Sequence, residues 1–230
     1  MRLFPKSLVL LIGVSILTGS FLVYAQATEN WEITSFNSDI RINSDGRVYV
    51  TETIKADFAN EAHRGVAREI PVQYGTENTV NYDAKINFLS ASDENGISWD
   101  NNVYNSNGYL NIEMRNATDT PDNGKHTFVI NYLAKNVILF FDEQKAKEQE
   151  TYSHDEFYWN VNGTEWVVPT KEVSATVHLP KEISKDQLKI DCFTGIFGET
   201  GKDCEWTLPD SKTIEFKATK TFAPFENLTI

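Results

Sequence analysis

Positive charge is scarce in this chain. Its 21 Lys and Arg stand against 33 Asp and Glu, for a net charge of −12. A phosphate-binding surface needs clustered Lys and Arg, and no such cluster appears, so nucleic acid is excluded as a partner. Charge-driven adsorption to an anionic membrane is excluded on the same ground. Histidine is thinly spread: His63, His126, His154 and His178 show no His-x-His or His-Glu-x-x-His spacing, so neither metal nor cofactor is expected. The Gly-x-Ser-x-Gly elbow of serine hydrolases is missing too. Beyond Ala27 no stretch reaches the roughly 18 apolar residues that a membrane-spanning helix requires. No cysteine lies near Ala27, which removes the attachment point of a lipid-anchored protein.

What the N-terminus does contain is a targeting pattern. Arg2 and Lys6 precede a mostly apolar stretch from Leu8 to Val23, and Ala25-Gln26-Ala27 supplies a small-x-small cleavage signal. A signal peptide over residues 1–27, cleaved after Ala27, is the expected reading; the alternative is an uncleaved anchor helix. The remaining chain, 28–230, carries Cys192 and Cys204 around the segment CFTGIFGETGKDC. Export makes an oxidised pair the default, worth on the order of 3 kcal/mol by loop-closure entropy. A redox or metal pair is the alternative, but C-x-x-C spacing is absent and no His lies between them.

With 40% hydrophobic and 23% charged residues the chain has the composition of a folded globular protein. Its hydrophobic periodicity is that of strands. Trp31 to Ile42 reads as a first strand, Ser44-Asp45-Gly46 as a turn, and Val48, Val50, Ile54, Ala56 and Phe58 as one face of a second. Further strands are expected over Asn81–Leu89, Ile97–Trp99, Tyr109–Met114, Phe128–Tyr132, Val173–Leu179, Leu188–Phe193, Glu205–Leu208 and Thr213–Ala218, with a last one beginning after Phe222. The disulfide then joins the Leu188–Phe193 and Glu205–Leu208 strands. Val137–Phe141 is a continuous apolar run, read as a buried strand or short helix. Asp142–Glu150 (DEQKAKEQE) is polar all round and made of helix formers, the mark of a solvated connecting helix. The whole reads as an all-β, antiparallel β-sandwich with this one short helix near 142–150. The best place for a subdomain boundary is near 169–171, and a continuous sandwich is the alternative.

Two places invite closer reading. Glu52 is a carboxylate on the apolar face of the second strand; an uncompensated buried charge is costly, so a partner is required. Arg68 is the expected one, or failing that Arg64, both from HRGVAREIP (His63–Pro71), which reads as a loop bent at Gly65. The second is EFYWNVNGTEWVVP (Glu156–Pro169), in which Phe157, Trp159 and Val161 alternate with polar residues up to Asn162-Gly163. It predicts an aromatic hairpin with those three residues in the core. Tyr158, Asn160 and Glu165 are then its surface contacts. Asp119, Asp122, Asn123 and Gly124 lack calcium-loop spacing and read as a plain turn.

In order, DIRINSDGRVYVTETI, RGVAREIP, EFYWNVNGTEWVVP, VSATVHLP and a CFTG…C loop behind a signal peptide resemble the N-terminal extracytoplasmic domain of the YciQ-like predicted bacterial membrane proteins. The resemblance covers most of Trp31–Ile230. It implies a β-rich domain normally followed by transmembrane helices, in a family without an established activity, so no catalytic residue is carried over. It also implies that the sequons at Asn116, Asn162 and Asn227 go unmodified. A non-enzymatic interaction or sensing domain at the cell envelope is therefore expected, with a protein or glycan ligand. Membrane contact is expected only through an uncleaved signal segment or missing C-terminal helices. A glycan-binding or glycan-active protein and a structural assembly domain are the alternatives.

Overall fold

The computed structural model describes residues 30–74, 82–116, 121–141 and 154–230. The segments expected to be a signal peptide (1–27) and a connecting helix (142–150), together with Asp119, lie outside the described residues. Sixteen strands are formed among the described residues: β1 (Glu32–Ile42), β2 (Val48–Asp57), β3 (Gly65–Pro71), β4 (Gln73–Tyr74), β5 (Tyr82–Asp83), β6 (Lys85–Ser92), β7 (Asp100–Ser106) and β8 (Tyr109–Arg115) in the first half. The second half adds β9 (Lys125–Lys135), β10 (Ile138–Phe141), β11 (His154–Phe157), β12 (Val173–His178), β13 (Phe193–Gly195), β14 (Cys204–Asp210), β15 (Thr213–Ala218) and β16 (Asn227–Thr229). The one helical element among the described residues is a single 3-10 turn at Lys185–Gln187.

A seven-stranded sheet in the order β14-β15-β12-β1-β2-β9-β6 forms one layer, and a three-stranded sheet, β3-β8-β7, forms part of the other. Side-chain alternation explains the packing: Val48, Val50, Ile54 and Ala56 of β2 and Phe128, Ile130, Tyr132 and Ala134 of β9 are buried, their neighbours outside. Val66 and Ile70 of β3 and Leu110, Ile112 and Met114 of β8 bury the inner face of the smaller sheet, in the same core.

The sandwich is antiparallel except at one place. β12 runs parallel to β1, Phe36 opposite Val173 through Arg41 opposite His178. A parallel neighbour needs a long crossover, and the whole middle of the chain supplies it. β12 is led in by backbone bonds from Ile33 N to Pro169 O and from Lys171 N to Ile33 O. Residues 169–171 thus lie against β1.

Several sequence expectations change. HRGVAREIP is a strand, not a loop: β3 pairs with β8 over seven positions, Gly65 opposite Arg115 through Pro71 opposite Tyr109. Pro71 is tolerated because it ends the ladder. At Ile97–Trp99 only an isolated bridge forms, between Ser98 and Ser92, and the strand is the polar DNNVYNS that follows. Leu188–Phe193 is not a strand; Cys192 immediately precedes the short β13 and bonds to Cys204, the first residue of β14. Val137 is buried, but Phe140 and Phe141 of β10 are exposed, because β10 pairs only with β11 in a two-stranded ribbon.

The expected aromatic hairpin does not form either. Gly163 does turn the chain with φ +77°, yet the arms on either side do not pair. Instead the Trp159 and Ile230 amides each donate to the other's carbonyl at 3.0 Å, and Val161 N donates to Leu228 O at 2.8 Å. The aromatic stretch is a partner of the C-terminal strand. Trp159 and Val161 are buried as expected, and Phe157 is half-buried.

Candidate functional site

Glu52 points from β2 into the core and meets Arg68 of β3. Arg68 Nε donates to Glu52 Oε2 and Nη2 to Oε1, both at 2.8 Å, a bidentate pair with side chains 0% and 1% exposed. Tyr132 Oη of β9 donates to the same Oε1 at 2.8 Å. Two further guanidinium protons go to Glu69 O at 2.6 Å and Val161 O at 3.3 Å. This cluster clamps the large sheet, the small sheet and the Trp159–Gly163 segment together. Arg64, the other candidate partner, is exposed. Gly163 is required at its place: a Cβ there would stand 2.5 Å from Arg68 Nη1, and the positive φ disfavours side chains.

Because Arg68 points in, Glu69 must point out. It stands in a row with Asn111 of β8 and Tyr104 of β7, beside the row of Ala67, Glu113 and Asn102. Glu113 anchors this outward face. It accepts from Arg115 Nη2 at 2.5 Å, Tyr104 Oη at 2.9 Å and Asn102 Nδ2 at 3.4 Å. Arg115, then Tyr104 and Asn102, hold its carboxyl below the usual glutamate range. Tyr109 Oη donates to Glu165 Oε1 at 3.0 Å, which fixes the turn after Gly163 over the same face. Glu69 goes the other way: burial first, then the Glu165 charge, push its carboxyl up, against the opposing pull of Arg68. The bond to Glu113 raises the Tyr104 phenol, and burial followed by the Glu165 bond raises Tyr109.

An order of titration follows. Carbon-detected NMR should show Glu113 losing its proton below ordinary glutamates and Glu69 above them, with Glu165→Gln moving Glu69 down. The linkage signs are opposite. Glu113 contributes stability above its unfolded pKa that is lost as pH falls through its depressed folded value. Glu69 contributes below its unfolded pKa and loses it as pH rises through the raised one. Glu69 titrating with or below Glu113 would contradict this geometry.

Of the surface contacts read from sequence, Glu165 belongs to this face and Tyr158 is solvent-exposed. Asn160 is half-buried and committed to structure: its Oδ1 accepts from Asn227 Nδ2 and Thr229 Oγ1, both at 3.0 Å. Tyr104, Tyr109, Glu113, Arg115 and Glu69 were not singled out by sequence reasoning. The alternation of β8 was their one signal, and it marked only the inner residues. Two of the sequon asparagines are buried hydrogen-bond clamps. Asn162 Oδ1 accepts from Leu228 N at 2.9 Å, and Asn227 Oδ1 accepts from Gly163 N at 2.8 Å. Among the described residues no group of acidic, His or Cys side chains is arranged to hold a metal ion. No described helix is long and apolar enough to cross a membrane.

In fold, the chain is similar to part of two structures of leukotriene A4 hydrolase from the yeast Saccharomyces cerevisiae. One superposes with TM-score 0.52 at 8% identity and the other with 0.51 at 7%. Each covers 86% of this chain but only 28% of the hydrolase, so the likeness is one of fold alone. Curated proteins give no match. Residues 32–221 match a family described as "Predicted membrane protein (DUF2207) N-terminal domain". That match takes in the large sheet, the Glu52–Arg68 clamp and the outward face of β3-β8-β7, and the chain belongs to this family of predicted membrane protein N-terminal domains, whose function is unknown.

Proposed function

We propose that this domain is a non-catalytic recognition module, presented on the extracytoplasmic side of a YciQ-like membrane protein and binding a ligand at the cell envelope. The observation that carries the reading is the outward face of β3-β8-β7. There Tyr104 is bound to Glu113 and Tyr109 to Glu165, Arg115 braces Glu113, and Glu69 stands beside them on the strand that carries the buried clamp. The targeting pattern before Ala27 and the Cys192–Cys204 bond support the extracytoplasmic side. Glu69, Glu113 and Glu165 outnumber Arg115, which favours a ligand bearing amine or guanidinium groups; the exposed Tyr104 ring adds a cation–π surface. A protein segment rich in Lys or Arg has this chemistry. The glycan reading is less favoured: Trp31, Trp159 and Trp166 are buried, leaving fewer rings to stack on sugars.

Calorimetric titration with a lysine-rich peptide and with a neutral oligosaccharide separates the readings. The peptide should bind, and Glu113→Gln or Tyr104→Ala should weaken it roughly tenfold, the value of one charge-assisted contact. Peptide binding that is indifferent to both substitutions would refute the assignment of this face.

A further inference from the structure

The loop closed by Cys192 and Cys204 displays apolar residues to solvent. Phe197 is 87% exposed and Ile196 48% exposed. The tip is fixed: Glu199 N donates to Ile196 O at 3.0 Å, and Ile196 N donates back to Glu199 Oε2 at 3.1 Å. Gly195 and Gly198, both at positive φ, flank it. At the loop base β13 pairs with β16, Gly195 opposite Asn227. Just beyond that last pair, Ile196 and Phe197 leave one strand while Phe225 enters the other. Phe225 is 45% exposed and has φ +69°, a conformation that a bulky residue rarely adopts. Its amide donates to Trp166 O, next to the 53% exposed Val167. One end of the molecule thus presents Ile196, Phe197, Phe225 and Val167.

Both lysines at the rim of this end are engaged by carboxylates. Lys202 Nζ binds Asp191 Oδ1 at 2.6 Å, and Lys220 Nζ lies 3.0 Å from Glu226 and 3.2 Å from Asp203. Paired charges around protruding apolar side chains suit a surface that is apolar beneath and zwitterionic above, and the chain's net charge of −12 disfavours an anionic one. The family is one of predicted membrane proteins, so a bilayer is a surface its domains meet. We propose that the Ile196–Phe197 loop, with Phe225 and Val167, docks this domain onto a bilayer of zwitterionic lipid, the Phe197 ring entering the acyl boundary.

This inference stands apart from the recognition face, and its test separates the two. The exported protein carrying Phe197→Trp is mixed with phosphatidylcholine–phosphatidylethanolamine vesicles whose acyl chains are brominated. The added tryptophan should shift to the blue and be quenched, after subtraction of the native signal. The N-terminal apolar stretch carries no tryptophan and cannot mimic this. Phe197→Ser should weaken vesicle binding about tenfold or more, as expected for one phenyl ring left in water, whereas Tyr104→Ala should leave it unchanged. A tryptophan at 197 that stays unquenched by vesicles, or a Phe197-dependent dimer in sedimentation without lipid, would overturn it.

Discussion

Replacement of Arg68 by methionine is expected to cost about 3–5 kcal/mol of folding stability, the usual penalty for removing one half of a buried ion pair. The reason is what stays behind. Glu52 would keep the Tyr132 bond but lose both guanidinium bonds at a site with 0% exposure. Val161 O and Glu69 O would lose their donor as well. Glu52→Leu combined with Arg68→Met should be far milder than either change alone, since no charge is then stranded. Tyr132→Phe should cost about 1 kcal/mol, because the carboxylate keeps its bidentate partner. Urea unfolding with midpoint and slope resolved separately checks all three. A single Arg68→Met loss below about 1 kcal/mol would show that water, not Arg68, satisfies Glu52.

Trp159→Ala should cost a similar amount, about 3–5 kcal/mol, as a large side chain deleted from a close-packed core. Trp159 is 1% exposed, lies parallel to the Phe157 ring at 6.0 Å and contacts Tyr132 at 6.3 Å. Its backbone carries the pairing with Ile230, and three residues on, Asn162 and Asn227 clamp each other's segments. The loss should therefore be felt at the far end of the chain. Hydrogen exchange at the Leu228 and Ile230 amides should accelerate well beyond that in β2 and β9. Uniform acceleration would mean that the segment opens only with the whole fold.

The large sheet was legible in the sequence because β1, β2, β9, β12 and β15 each bury one face, and period-two alternation records that. Glu52 was legible for the same reason, as the one charge in an apolar row. β7 left no trace, since the side chains of DNNVYNS are mostly exposed and a strand with no buried face has no period. β3 was hidden by its own punctuation: Gly65 and Pro71 read as turn residues, yet they mark the two ends of its ladder. The aromatic stretch misled because Asn162-Gly163 is a sound turn signal, while the residues that capture its arms come from the C-terminal strand, a pairing that local sequence does not encode. The recognition face needed three strands in register, and two of them, β3 and β7, did not read as strands.

The central claim is that this face binds ligand. Following the Tyr104 ring and Glu113 carboxyl resonances while a lysine-rich peptide is titrated in tests it most directly. Saturable shifts are expected at Tyr104, Glu113, Tyr109 and Glu165, with the buried Tyr132 unmoved. Binding that leaves those four resonances in place would contradict it.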